Sequence, residues 1–220
     1  MNTSETRGFE APALALDTIP EGTSILLTGA ETAAIETVFY HLVTARDDER
    51  SLILATDTSG RTVNRELDHI EYGASTRSTV LACAGDAAEA NVRTVDDICD
   101  LTGLGMQFSA LVTESGAVGV PQRAGILLCS SIVSAVGDIQ SVFRFLNANF
   151  LAHLRREGIL GVCAIDTSER VGGDIDGLVD SMAAAFDTHI RVDPTGSGVV
   201  ILHVSGIEGF SEELRVDLSE

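Results

Sequence analysis

Residues Ile19–Leu42 read IPEGTSILLTGAETAAIETVFYHL. A Pro-Glu-Gly turn leads into an apolar run, Ser24 to Thr28, that stops at Gly29. Small and polar residues follow, and the pattern turns helical at Val38, Phe39 and Leu42. Strand, glycine-led loop and helix in this order are the frame of a phosphate-binding loop, where backbone N–H groups at a helix N-terminus hold the anion. The working loop reads G-x-x-x-x-G-K-[ST]. Counted from Gly29, its second glycine falls on Ala34, its lysine on Ile35 and its hydroxyl on Glu36. Ile35 offers neither charge nor donor, and Glu36 sets a carboxylate beside polyanionic phosphates. Thr37 can slip one place into the hydroxyl role, but no lysine follows. The competing reading is a plain strand-to-helix turn.

The chain has 220 residues, enough for one α/β domain with an ample core. Its 33 acidic residues face 14 basic ones, a net charge of −19, and all 14 basic residues are arginine. Tryptophan is absent and alanine, valine and threonine are plentiful. This composition predicts a surface adapted to multimolar salt, where a Debye length of roughly 3 Å makes self-repulsion tolerable. An ordinary acidic protein is the alternative. No nucleic-acid partner is expected, because no basic stripe exists to displace its counterions. Cys83, Cys99, Cys129 and Cys163 form no CxxC pair, so zinc is unsupported, and three lie in or beside apolar runs as core residues do. No apolar run reaches the roughly 18 residues of a membrane span, and no signal peptide is evident, so a cytoplasmic location is expected.

In chain order, residues 1–11 read as a disordered polar tail and 12–220 as a single domain. Leu14 to Ile19 lead into the first strand. Ser51–Thr56 is a second strand with Asp57 at its carboxyl end, where open parallel sheets bind ligands. Capping of a following helix at Thr62–Leu67 is the preferred role for Asp57. Thr79–Ala84 is a short strand. Thr94 and Asp97 look like a capping pair before a helix over 98–112 that breaks at Gly103 and Gly105. GILLCSS, from Gly125 to Ser131, is a buried strand. Asp138 opens the best helix, with Val142, Phe143, Leu146, Phe150 and Leu154 at helical spacing, ending at Arg155, Arg156 and Gly158. Ile159–Ile165 is another buried strand, so a right-handed βαβ crossover is expected. Asp166–Gly177 reads as a solvated loop, and Leu178–Phe186 as a short helix. His189–Val192, Val199–Val204 and Leu214–Leu218 are short strands of an antiparallel region added to a parallel sheet. The fold class is therefore α/β, with a mainly parallel central sheet flanked by helices and antiparallel strands at the C-terminus.

IPEGTSILLTG resembles the lead-in of KaiC-like proteins of the RecA superfamily, and the order of elements matches over residues 14–218. GILLCSS sits where that family carries its Walker B strand. The resemblance places the magnesium-associated aspartate on Cys129, with Ser130 after it. Working relatives carry acidic residues after the second strand, where this chain reads Thr56-Asp57. GVCAIDTSERVGG and LRVDL resemble the family's later strand with its glycine-containing loop and its last strand. The resemblance implies a RecA-like P-loop NTPase fold of an uncharacterised haloarchaeal, HTR-like type, with degenerate motifs.

Loss of the lysine and of the Walker B aspartate removes the main electrostatic support for phosphoryl transfer. The leading expectation is a pseudo-ATPase acting as a regulatory or scaffolding protein, with signalling implied by the resemblance alone. A binding module for a non-nucleotide ligand and a weak, non-standard NTPase are the alternatives. No catalytic residue, metal or cofactor is assigned, and ATP with Mg²⁺ is disfavoured. A protein partner is expected, and a homo-oligomer is compatible with the resemblance. The loop itself is expected to be collapsed, with Glu31, Thr32 or Glu36 accepting the helix N-terminal N–H bonds.

Overall fold

The computed structural model describes residues 8–218 except 86, 88, 116–119, 170–174, 197 and 208–211. Nine strands form one sheet: β3 (Ser24–Gly29), β4 (Arg50–Ser59), β5 (Ser78–Ala84), β6 (Val92–Thr94), β7 (Gln122–Leu127), β8 (Leu160–Asp166), β9 (Thr188–Gly196), β10 (Val199–Ser205) and β11 (Glu213–Asp217). Their spatial order is β11-β10-β9-β3-β8-β7-β4-β5-β6. Strands β9 through β6 in that order run parallel, while β10 and β11 add antiparallel. A small hairpin, β1 (Gly8–Ala11) with β2 (Leu16–Pro20), precedes the sheet. Helices α1 (Thr32–Val43) and α2 (Gly60–Ile70) cover one face. The other face carries α3 (Leu101–Ser115), α4 (Cys129–Val136), α5 (Ile139–Phe145), α6 (Ala152–Glu157) and α7 (Ile175–Ala183).

The expected architecture holds. The four apolar runs that begin at Ser24, Ser51, Gly125 and Ile159 contribute β3, β4, β7 and β8, which lie side by side and parallel in the order β3-β8-β7-β4. They read as continuous apolar stretches because both faces are covered: Ile25 and Leu27 enter one core, Leu26 the other. The helical run after Asp138 is continuous to Glu157 but passes through a π-helical stretch, Leu146–Leu151. Asn147 and Asn149 donate to the carbonyls of Phe143 and Phe145 at 3.0 and 3.4 Å, satisfying groups that the wider turn displaces.

Several expectations are corrected. The tail does not extend to residue 11, because Phe9 and Ala11 are buried in β1; residues 1–7 lie outside the described residues. Helix α3 runs unbroken through Gly103 and Gly105. A Cβ at Gly105 would stand 2.8 Å from the Asn149 side chain, so that glycine serves close helix packing. Thr94 belongs to β6, which was not foreseen, and Asp100 accepts from the Gly103 N–H at the start of α3. GILLCSS is half strand and half helix: β7 ends at Leu127 and α4 begins at Cys129. Part of the loop expected at Asp166–Gly177 lies outside the described residues.

Glu49, in a stretch of charged residues that reads as a solvated turn (Asp47, Asp48, Glu49, Arg50), is buried. Its carboxylate takes two bonds from Arg123, from Nε at 2.6 Å and Nη2 at 3.0 Å. Arg123 also donates to the carbonyls of Leu42 and Glu10, and its guanidinium stands over the Phe9 ring at 5.3 Å. One arginine thus joins the hairpin, the end of α1 and the start of β4.

Candidate functional site

In an open parallel sheet the binding crevice lies beyond the carboxyl ends of the strands. Here those ends are Gly29 of β3, Asp166 of β8, Leu127 of β7 and the Thr56–Ser59 stretch of β4. Strand β3 ends at Gly29 and α1 begins at Thr32, leaving only Ala30 and Glu31 between them. A phosphate-binding loop needs a longer excursion, because successive N–H groups must curl into a nest around the anion. Ala34, Ile35, Glu36 and Thr37 are accordingly not loop residues. They occupy the first turns of α1.

The junction is tied to the end of β8. The Gly29 carbonyl accepts from both the N–H and the hydroxyl of Thr167, each at 2.7 Å. The Thr32 hydroxyl donates to Asp166 Oδ2, and Ser168 donates to Oδ1 through its N–H and hydroxyl at 2.7 and 2.6 Å. A collapsed junction was expected, but its carboxylate comes from Asp166. Glu31, at the N-cap, makes no side-chain capping bond. Gly29 is required by packing: a Cβ there would stand 2.9 Å from Ile35 Cγ1 and 3.0 Å from the Val192 carbonyl. Ile35 is fully buried in the core.

At the Walker B position, Cys129 is buried and hydrogen-bonded to Cys163 of β8, whose thiol is pushed well above its ordinary pKa by burial and by that neighbour. The Ser130 hydroxyl accepts from the Asp166 N–H at 3.3 Å. Leu128 between strand and helix is left-handed, φ 55°, a strained conformation for a branched residue. The Thr56 hydroxyl lies 2.7 Å from the Leu127 carbonyl and 2.9 Å from that of Leu128, and holds the turn. Asp57 caps nothing. Strand β4 continues to Ser59, whose hydroxyl accepts from the Thr62 N–H and starts α2.

The structure therefore gathers Gly29, Thr32, Ser130 and Asp166 at one junction, sends Ile35 and Cys129 into the cores, and leaves Asp57 exposed beside them. Thr37 turns its hydroxyl to the Ala33 carbonyl at 2.9 Å. The local field is negative. Glu36 has a raised pKa through burial and through Asp57, Glu66 and Asp166; Asp57 is raised by burial and by Asp166. For Asp166 burial works upward, but bonds from Ser168, Thr32 and backbone N–H groups outweigh it and the net shift is downward. The described residues contain no group of three or more His, Cys, Asp or Glu placed to hold a metal.

Asp166 carries a sign for a test. Its folded pKa is depressed, so its contribution is complete above the unfolded value of about 3.9 and lost as pH falls through the lower folded value. Thr32→Val should cost about 1 kcal/mol at pH 7, a discounted value for a bond to a carboxylate from an exposed threonine. The difference from the parent should shrink as Asp166 protonates. Urea denaturation of both proteins at pH 7 and at a series of values stepped down from about pH 4 to about pH 2 checks this, with the difference intact at the top of that series and shrinking below it.

Beside the junction, α1 and α2 leave a cleft of about 640 Å³. Glu36 and Tyr40 line it from α1, and Arg65, Glu66 and His69 from α2. Sequence reasoning missed Tyr40 and Glu66. The signal was there in α2, where Thr62, Glu66 and His69 share a helical face opposite the buried Val63 and Leu67.

The fold is that of KaiC-like RecA-type proteins. A KaiC-like protein of the hyperthermophilic archaeon Pyrococcus horikoshii OT3 aligns with TM-score 0.62 and 13% identity, over 95% of this chain and 92% of the other. An uncharacterized protein of Pyrococcus horikoshii, crystallised in complex with an unknown peptide, aligns with TM-score 0.63 and 13% identity, over 90% and 94%. Residues 22–192 match the Family of unknown function (DUF7504), and the chain belongs to that family. No curated protein sequence matches it.

Proposed function

We propose that this chain is a catalytically degenerate, KaiC-like pseudo-ATPase that works as a regulatory or scaffolding protein in a halophilic cytosol, in signal transduction. The observation that carries the reading is the junction after β3, where only Ala30 and Glu31 separate strand from helix. Electrostatics support it. Asp57 and Asp166 add negative charge at the carboxyl ends of β4 and β8, where a triphosphate would lie, and Cys129 supplies no carboxylate for Mg²⁺. The protein should hydrolyse no ATP above background in multimolar KCl; turnover abolished by Asp57→Asn would contradict the proposal. The salt reading has its own check: the melting temperature should climb steeply from low to multimolar KCl as screening reaches the 33 acidic residues.

A second reading, a binding module for a non-nucleotide ligand, is favoured by the α1–α2 cleft. The peptide found with one fold neighbour is consistent with a protein-binding role.

A further inference from the structure

Tyr40 is 5% exposed, and its side chain lines the α1–α2 cleft. Its ring is fixed edge-on against Phe39, with centroids 5.7 Å apart. Among the described residues its hydroxyl makes no hydrogen bond, and it is not one of the fully buried orphaned atoms, so it opens into the cleft. Two carboxylates flank it. Glu36, one turn earlier on α1, accepts no side-chain hydrogen bond among the described residues. Glu66 of α2 has Oε1 engaged by its neighbour Arg65, through Nε at 3.1 Å and Nη2 at 2.9 Å, and Oε2 is left over.

We propose that this cleft is a binding site for a primary alkylammonium group, seated on the Glu36 and Glu66 carboxylates and the Tyr40 hydroxyl. The donor count matches: an ammonium has three N–H bonds to give, and the cleft presents three oxygen-bearing groups short of donors. A divalent cation is the poorer fit, since no group of three or more metal-ligating side chains is assembled among the described residues. Arg65 also lines the cleft, but its side chain is 73% exposed and its guanidinium is spent on Glu66 Oε1. Ala13 and Ile70 give the alkyl chain an apolar wall. Burial and like charge already hold the Glu36 carboxyl above its usual range, the situation that a bound cation relieves. Besides these groups, His41, His69 and Asp217 face the cleft. A second copy of this chain offers no lysine side chain as the ligand. The source is a free amine or a lysine of another protein. The site stands independently of the nucleotide reading.

The test titrates the full chain with n-butylammonium at constant ionic strength and follows the ring resonances of residue 40, tyrosine in the parent and phenylalanine in the variant. Tetramethylammonium, with the same charge and no N–H, is the control. Saturable binding is expected, with tetramethylammonium at least tenfold weaker. Glu36→Gln should weaken binding roughly tenfold and Tyr40→Phe roughly threefold, the latter without change in melting temperature, since only one hydroxyl is removed. Spermidine and an acetylated lysine-containing peptide separate the two sources: tighter binding of either one identifies it. Equal affinity for tetramethylammonium, or unaltered affinity in Glu36→Gln, overturns the proposal.

Discussion

Arg123→Leu should destabilise the protein by about 3–5 kcal/mol, the range for removing one partner of a buried ion pair. Arg123 is 1% exposed and uses its guanidinium on four acceptors, the two Glu49 oxygens and the carbonyls of Leu42 and Glu10. Leucine leaves the Glu49 charge desolvated and both carbonyls unmet. It also takes the cation from the Phe9 ring. Because the Leu42 carbonyl lies in the last turn of α1, the arginine is also well placed for that helix dipole. The double change Arg123→Leu with Glu49→Leu should recover much of the loss, since no orphan charge then remains. Arg123→Lys should fall between, keeping the charge but not the fork. Urea denaturation with unchanged m-values checks all three.

Ile35→Lys should cost about 3 kcal/mol or more and should not create ATP binding. Ile35 is fully buried, and its Cγ1 stands 2.9 Å from where a Cβ on Gly29 would be. An ammonium there enters the core of the α1 face, where desolvation drives its pKa down and the fold loses stability. The position suggested by motif counting is thus a core position. The same geometry corrects the simplest repair that the motif suggests, Ala34→Gly with Ile35→Lys and Glu36→Thr. All three positions lie on a helix that has already started at Thr32, so new side chains cannot lengthen the junction. A phosphate site would need residues inserted after Gly29. The triple variant should melt lower than the parent and bind Mg-ATP no better.

The parallel sheet was legible because its strands are apolar on both faces and its longest helical run has an unmistakable spacing. What escaped was set by a few contacts. The helix boundary after β3 could not be read from ETAAIET, where alanine and threonine suit a loop as well as a first turn. Thr32 settles it by donating to Asp166, more than a hundred residues away in sequence. Asp166 itself closes an apolar run as an isolated acid, a visible signal, but in sequence it reads as the first residue of a polar loop. Glu49 looked solvated because Asp47, Asp48 and Arg50 surround it; only its pairing with Arg123 of β7 buries it. Cys129 was placed at the Walker B position, yet the strand had ended at Leu127 and the cysteine faces Cys163. Glu36 was singled out for repelling phosphate at the loop. It faces the α1–α2 cleft instead, with Tyr40 beside it.

The central claim is that the junction after β3 cannot hold a triphosphate. Titration calorimetry of the full chain with Mg-ATP in multimolar KCl tests it directly. The account predicts no saturable heat up to millimolar nucleotide, in the parent and in Ile35→Lys alike. A micromolar dissociation constant for the parent, weakened by a change at Gly29 or Thr32, would contradict it.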